Sequence, residues 1–93
     1  MKVTSVFTSA TFKLILKFDN EEYRILDIKL FLQSDKGKLA EIRDDIVMFQ
    51  TATLDRKAGT VSWENGVDFD PEILYLKSVN IDCSLGDEER KNK

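Results

Sequence analysis

Residues 11–18, TFKLILKF, alternate without a break: Phe12, Leu14, Leu16 and Phe18 fall on one side, Thr11, Lys13, Ile15 and Lys17 on the other. A period of two over such a run marks a half-buried β-strand, because a helix would repeat its apolar positions every three to four residues. A strand cannot satisfy its backbone alone, so the chain must build a sheet around this segment. Asp19-Asn20 then supplies residues that tolerate turn geometry, and Glu22–Leu26 resumes an extended pattern, which predicts a β-hairpin. Upstream, the β-branched residues of Val3–Thr8 predict a further strand.

From Asp27 the period changes. Asp27 is placed to cap a short helix over Ile28–Gln33, bringing Ile28, Phe31 and Leu32 to one face, and Ser34–Gly37 breaks it. A second short helical segment, Lys38–Arg43, points Leu39 and Ile42 inward. Segments this short depend on packing against the sheet. Ile46–Asp55, a glycine-ended turn at Arg56–Gly59 and Thr60–Trp63 read as a second hairpin. A last helix is expected over Pro71–Leu76, and after Asp82 the polar stretch CSLGDEERKNK, with Leu85 as its one large apolar residue, reads as a flexible tail over 83–93. The expected fold is therefore α+β: a single domain over 1–82, with a small, mostly antiparallel sheet of about five strands and short helical segments packed against it.

At 93 residues, 42% of them hydrophobic, the chain can bury only an economical core, and a homodimer would supply additional burial. No run of apolar residues approaches the length of a membrane span, and the N-terminal MKVTSVFTSATFK lacks the apolar stretch of a secretory signal, so a cytoplasmic protein is expected. The single cysteine, Cys83, reads as a bystander thiol. Histidine is absent, which removes the commonest general base, the usual activator of a Ser or Cys nucleophile and the usual transition-metal ligand. Neither catalysis nor a cofactor is expected. A net charge of −3, with the basic residues spread along the chain, disfavours nonspecific binding to DNA or anionic lipid.

The densest stretch is SWENGVDFDPEILY, residues 62–75, which holds the only tryptophan, the only proline, four acids and no base. Its residues read first as structural. Trp63 ends a strand and fills the core or its rim, Asn65-Gly66 turns the chain, Val67 and Phe69 alternate inward, and Asp70 caps a helix that begins at Pro71 with Glu72 on the helix dipole. Asp68, Asp70 and Glu72, with Glu64 and Asn65 near, could instead offer oxygens to a hard cation, although their spacing is not that of an EF-hand loop. A third reading makes Glu64, Asp68, Asp70 and Glu72 an acidic surface for a basic partner. Elsewhere Asp44-Asp45 reads as a cap and loop, Arg56-Lys57 as a solvated turn tip, and Gly37 and Gly59 stand too isolated for a phosphate-cradling loop.

The same stretch resembles the small bacterial family known as domain of unknown function 2442. The resemblance rests on a strand ending in Trp63 followed by Gly66, Asp68, Pro71, Glu72, Leu74 and Tyr75. Upstream, the layout is similar, with a turn at Phe18-Asp19-Asn20, a helical insert around Leu30 to Gly37, and Phe49 opening a strand. It implies a small α+β domain, a gene neighbour encoding another short protein in a toxin–antitoxin-like arrangement, and no catalytic residues to carry over. Some relatives carry an added helix-turn-helix domain, for which the polar stretch after Tyr75 leaves no room.

The expected function is a non-enzymatic protein-binding module, the antitoxin-like member of a two-gene pair. Its partner would be another small, basic protein, met by Trp63, Glu64, Asp68, Glu72 and Tyr75, since aromatic side chains beside charge are typical of interfaces. The alternative is a nucleic-acid-associated regulator, using Lys13 and Lys17 on one strand face, or a mobile-element-encoded inhibitor that presents carboxylates where a nucleic-acid enzyme expects phosphates.

Overall fold

A computed structural model of the chain describes residues 1–81. Strands β1 (Val3–Thr8), β2 (Lys13–Phe18) and β3 (Tyr23–Asp27) form an antiparallel meander, in which β2 is central and buries Leu14, Leu16 and Phe18 completely. Phe12 departs from the expected pattern. It lies outside β2 with a positive φ of 64°, because the loop from Ser9 must close the hairpin and contains no glycine. The Ser9 hydroxyl accepts from the backbone N–H groups of Thr11 and Lys13, which fixes the loop. The Phe12 ring still reaches the core, 5.3 Å from that of Phe49. The β2–β3 turn falls at Asp19-Asn20 as expected, but the left-handed residue is Glu21, with φ 70°.

Helices α1 (Ile28–Phe31) and α2 (Lys38–Asp44) follow, α1 capped by the Asp27 carboxylate, which accepts from Leu30 N–H at 3.3 Å. The next segment corrects the sequence reading. Ile46–Phe49, expected as the start of a strand, is a helical turn, α3, and Phe49 ends it rather than opening a strand. The Asp45 carboxylate accepts from Val47 N–H at 3.0 Å and Met48 N–H at 3.4 Å, so the cap outweighs the β-branched composition. Burial agrees with a period of three: Ile46 and Phe49 turn inward while Val47 is exposed, whereas a strand would have put Val47 and Phe49 on one face.

The hairpin is thus shorter than expected, a two-stranded ribbon of β4 (Thr53–Asp55) and β5 (Thr60–Ser62). Its turn ends at Gly59, where φ is 66° and a Cβ would lie 2.6 Å from the Lys2 side chain, so a larger residue would be strained and would have to displace Lys2. Gly59 carbonyl accepts from Val3 N–H at 2.8 Å, which ties the ribbon to β1. Helix α4 (Pro71–Lys77) leads into β6 (Val79–Asn80), a strand the sequence reading missed because two residues carry no period. β6 pairs with β3, so the main sheet has four strands in the order β1-β2-β3-β6 rather than about five, with the ribbon as a second sheet.

Helices and ribbon cover one face of the main sheet, enclosing a core of Leu14, Leu16, Phe18, Leu26, Ile28, Leu32, Ile42, Phe49, Val61, Trp63 and Leu74. The α+β class is as expected. Among the described residues no helix is long and apolar enough to cross a membrane. The expected tail, 83–93, lies outside the described residues.

Candidate functional site

The segment after β5 turns where Asn65-Gly66 predicts. Trp63 N–H donates to Val67 carbonyl at 2.8 Å and Gly66 N–H to Trp63 carbonyl at 3.0 Å, with Gly66 at φ 91°. Asn65 anchors this turn to α2: its amide donates to Lys38 carbonyl and to the Glu41 carboxylate, at 3.1 and 3.2 Å. Beyond the turn Asp68 pairs back with Ser62, and side chains alternate, Val67 and Phe69 inward, Asp68 and Asp70 outward. The Asp70 carboxylate then accepts from Glu72 N–H at 2.9 Å and starts α4 at Pro71.

The five expected partner-facing residues separate under this geometry. Trp63 is not at the surface. It is 3% exposed, its indole N–H donates to Phe49 carbonyl at 3.0 Å, and its ring meets the edge of Phe69. A tryptophan with its one polar atom satisfied internally is a core residue. Glu64, Asp68 and Glu72 are exposed, and among the described residues their carboxylates make no ion pair or hydrogen bond. Tyr75 is half-buried and engaged from three sides. Its ring stands edge-on to Phe18 at 5.1 Å, the Arg24 guanidinium lies 4.0 Å from its centre, and its hydroxyl donates to the Glu22 carboxylate. Glu72 and Tyr75 share a shallow, open depression of about 210 Å³ with Met1 and Leu76, below the size usual for small-molecule sites.

Tyr75 belongs to a polar cluster that sequence reasoning did not find. Glu22 also accepts from the amide of Asn80 and from Arg24 at 3.0 Å, while Arg24 donates to the hydroxyl and carbonyl of Ser78, at 2.9 and 2.7 Å. The cluster straps β6 and the end of α4 to β3. No local signal marks it, since Glu22 and Tyr75 are brought together only by folding. The Tyr75 hydroxyl, then the Asn80 amide, hold the Glu22 carboxyl below its usual range, and the Glu22 carboxylate in turn raises the Tyr75 phenol.

A carboxyl whose folded pKa is depressed contributes stability that is complete above its unfolded value, about 4.3, and lost as pH falls through the lower folded value. The urea midpoint should therefore drop as pH is taken below about 4, and Glu22→Gln should remove part of that pH dependence. Asp44, depressed by its hydrogen bonds from Arg43, contributes with the same sign and should retain its share in the variant.

The remaining constellations are structural. Asp45 caps α3, and Asp44 pairs with Arg43 at 2.7 Å and Lys29 at 3.7 Å. At the ribbon turn the Asp55 carboxylate accepts from the N–H groups of Lys57 and Ala58. Lys13 and Lys17 do share the open face of the sheet, and each is paired, with Asp27 at 3.3 Å and Glu21 at 3.0 Å. Among the described residues no group of acids converges as a cation's ligand set, and Asp70, one of the oxygens a cation would need, is used as a cap.

No curated protein and no solved structure matches the chain. The model of a family described as protein of unknown function (DUF2442) matches residues 3–80, from the first residue of β1 to the last of β6. The match takes in the four-stranded sheet, the ribbon and helices α1 to α4, and the chain belongs to that family.

Proposed function

We propose that this protein is a non-enzymatic protein-binding module that meets a small basic partner through the acidic rim of Glu64, Asp68 and Glu72, with Tyr75 beside it. One observation carries the reading. Among the described residues these three carboxylates are exposed and make no ion pair or hydrogen bond, whereas Glu21, Glu22, Asp27 and Asp44 are all in ion pairs. Unpaired surface carboxylates on a segment anchored by Trp63 and Asn65 are held in place without being used by the fold, and they favour rapid association with a cationic surface. A cytoplasmic setting and a two-gene, antitoxin-like pairing are part of the proposal. Trp63 is withdrawn from the contact set, and its task is to hold the rim in position.

The test is capture of the tagged protein from its host, read by native mass spectrometry, beside a triple charge reversal, Glu64→Lys, Asp68→Lys and Glu72→Lys. A stoichiometric basic protein lost on reversal is the expected outcome, with rim charges lowering association rate more than they raise dissociation rate. Retention of the partner by the reversed variant would remove the rim from the interface. If the partner is itself a nucleic-acid enzyme and nucleic acid competes for it, the carboxylates act as phosphate substitutes, which is the inhibitor form of the same proposal.

A further inference from the structure

The face of the main sheet opposite the helices carries a row of apolar side chains that no other element among the described residues covers. Strand register places Phe7 beside Ile15, Ile15 beside Ile25, and Ile25 beside Val79, so the row crosses all four strands. Phe7 and Val79, at its two ends, are 60% and 61% exposed, and Ile15 and Ile25 between them are half-buried. On one flank lies the pair Lys13–Asp27, and on the other Lys17 beside Tyr23.

We infer that this face is the docking surface for a second copy of the chain, stacked sheet on sheet about a two-fold axis that runs along the strands between β2 and β3. That operation sets β2 over the partner's β3 and β1 over its β6, while leaving each row over itself. The consequences follow from register. Ile15 meets the second copy's Ile25, and the large Phe7 meets the small Val79. Lys13 faces Asp27 of the opposite copy, and Lys17 faces the Tyr23 ring. Lys13, Asp27 and Lys17 thus each meet an opposite charge or an aromatic face. A two-fold axis along the row instead would set Phe7 on Phe7 and Val79 on Val79, stacking large on large and leaving a gap at the other end. Keeping the strands of the two sheets near parallel also matches the aligned packing that sheets prefer.

The dimer is weak by area. Three strands of five or six residues and the two-residue β6, about 4.8 Å apart with about 3.3 Å per residue, make a face of at most about 19 by 20 Å, short of the ~800 Å² per partner that stable complexes bury. Sedimentation velocity should therefore show a monomer at about 5 µM passing to a dimer by about 500 µM, the range of a reversible contact of small area. Phe7→Lys should hold the protein monomeric throughout with its melting temperature at low concentration unchanged. Leu76→Lys, on the exposed side of α4, should leave association intact.

The pairing itself is read by cross-linking in a Cys83→Ser background. A mixture of Phe7→Cys and Val79→Cys proteins, treated with a short bis-maleimide, should give the mixed product in preference to either homodimer. A wild-type monomer at all concentrations, a dimer indifferent to Phe7→Lys, or a preference for like-with-like cross-links would each overturn the proposal. None of these readouts depends on the acidic rim.

Discussion

Trp63→Ala is expected to destabilise the domain by about 3–5 kcal/mol, lowering the melting temperature by roughly 15–30 °C. The indole lies at the junction of three elements. It follows β5 directly, its N–H closes onto the carbonyl of Phe49 at the end of α3, and its ring abuts Phe69 in the acidic segment. Truncation leaves a cavity among Phe49, Phe69 and Val61 and strips the Phe49 carbonyl of its donor. In a domain of this size, total stability is itself only about 5–14 kcal/mol, so much of the variant should be unfolded at physiological temperature.

Trp63→Phe separates the two contributions. It keeps most of the ring and removes the donor, and the expected loss is about 1–3 kcal/mol. Circular dichroism in urea measures both variants, because each removes the only tryptophan and with it the fluorescence signal. A wild-type midpoint for Trp63→Ala would show that this side chain is not what holds the ribbon to α3. The rim of Glu64 and Asp68 is positioned by the same anchor, so partner binding should fall with stability in this variant.

Arg24→Met should cost about 2–3 kcal/mol, or roughly 10–20 °C in melting temperature. Arg24 is on the inner face of β3, between β2 and the edge strand β6, where its side chain is 13% exposed. It makes two hydrogen bonds to Ser78 and stacks on Tyr75. Methionine preserves the volume of the stem but supplies no donors, which leaves the buried Ser78 without its cation. The ion pair with Glu22 adds little, because that carboxylate is partly open to water. The loss should be local before it is global. Hydrogen exchange at Val79 and Asn80 should become fast at denaturant concentrations where β1 and β2 remain protected, since β6 pairs only with Arg24 and Ile25. Equal exchange across all strands would mean that Arg24 supports the whole core rather than the strap.

The helix-starting part of the acidic segment was legible because its signals are local. Asp70 ahead of Pro71 fixes a cap and a first-turn φ within three residues, and Asn65-Gly66 fixes a turn within two. The error at Ile46–Phe49 has the same local scale and the opposite outcome. β-branched composition favours a strand weakly, and the Asp45 carboxylate, read as a cap and loop but not connected to the residues after it, favoured a helical turn more strongly. Trp63 reads from sequence both as a core or rim residue and as part of a partner surface, and burial agrees with the first of these. An aromatic beside acids has the composition of an interface, and only the position of the Phe49 carbonyl reveals that its polar atom is satisfied indoors.

By itself the sequence determined the α+β class, the central buried strand, the caps at Asp27 and Asp70 and the turn at Gly66, all of which depend on contacts within a few residues. Tertiary structure decided the rest. β6 exists because β3 offers an edge to it, and Glu22, Arg24, Tyr75 and Ser78 become one cluster through hydrogen bonds between residues more than fifty positions apart. The row from Phe7 to Val79 likewise appears only when register sets four strands side by side. Periodicity tells which face of a strand a residue occupies, but the neighbour across the strand is chosen by the sheet.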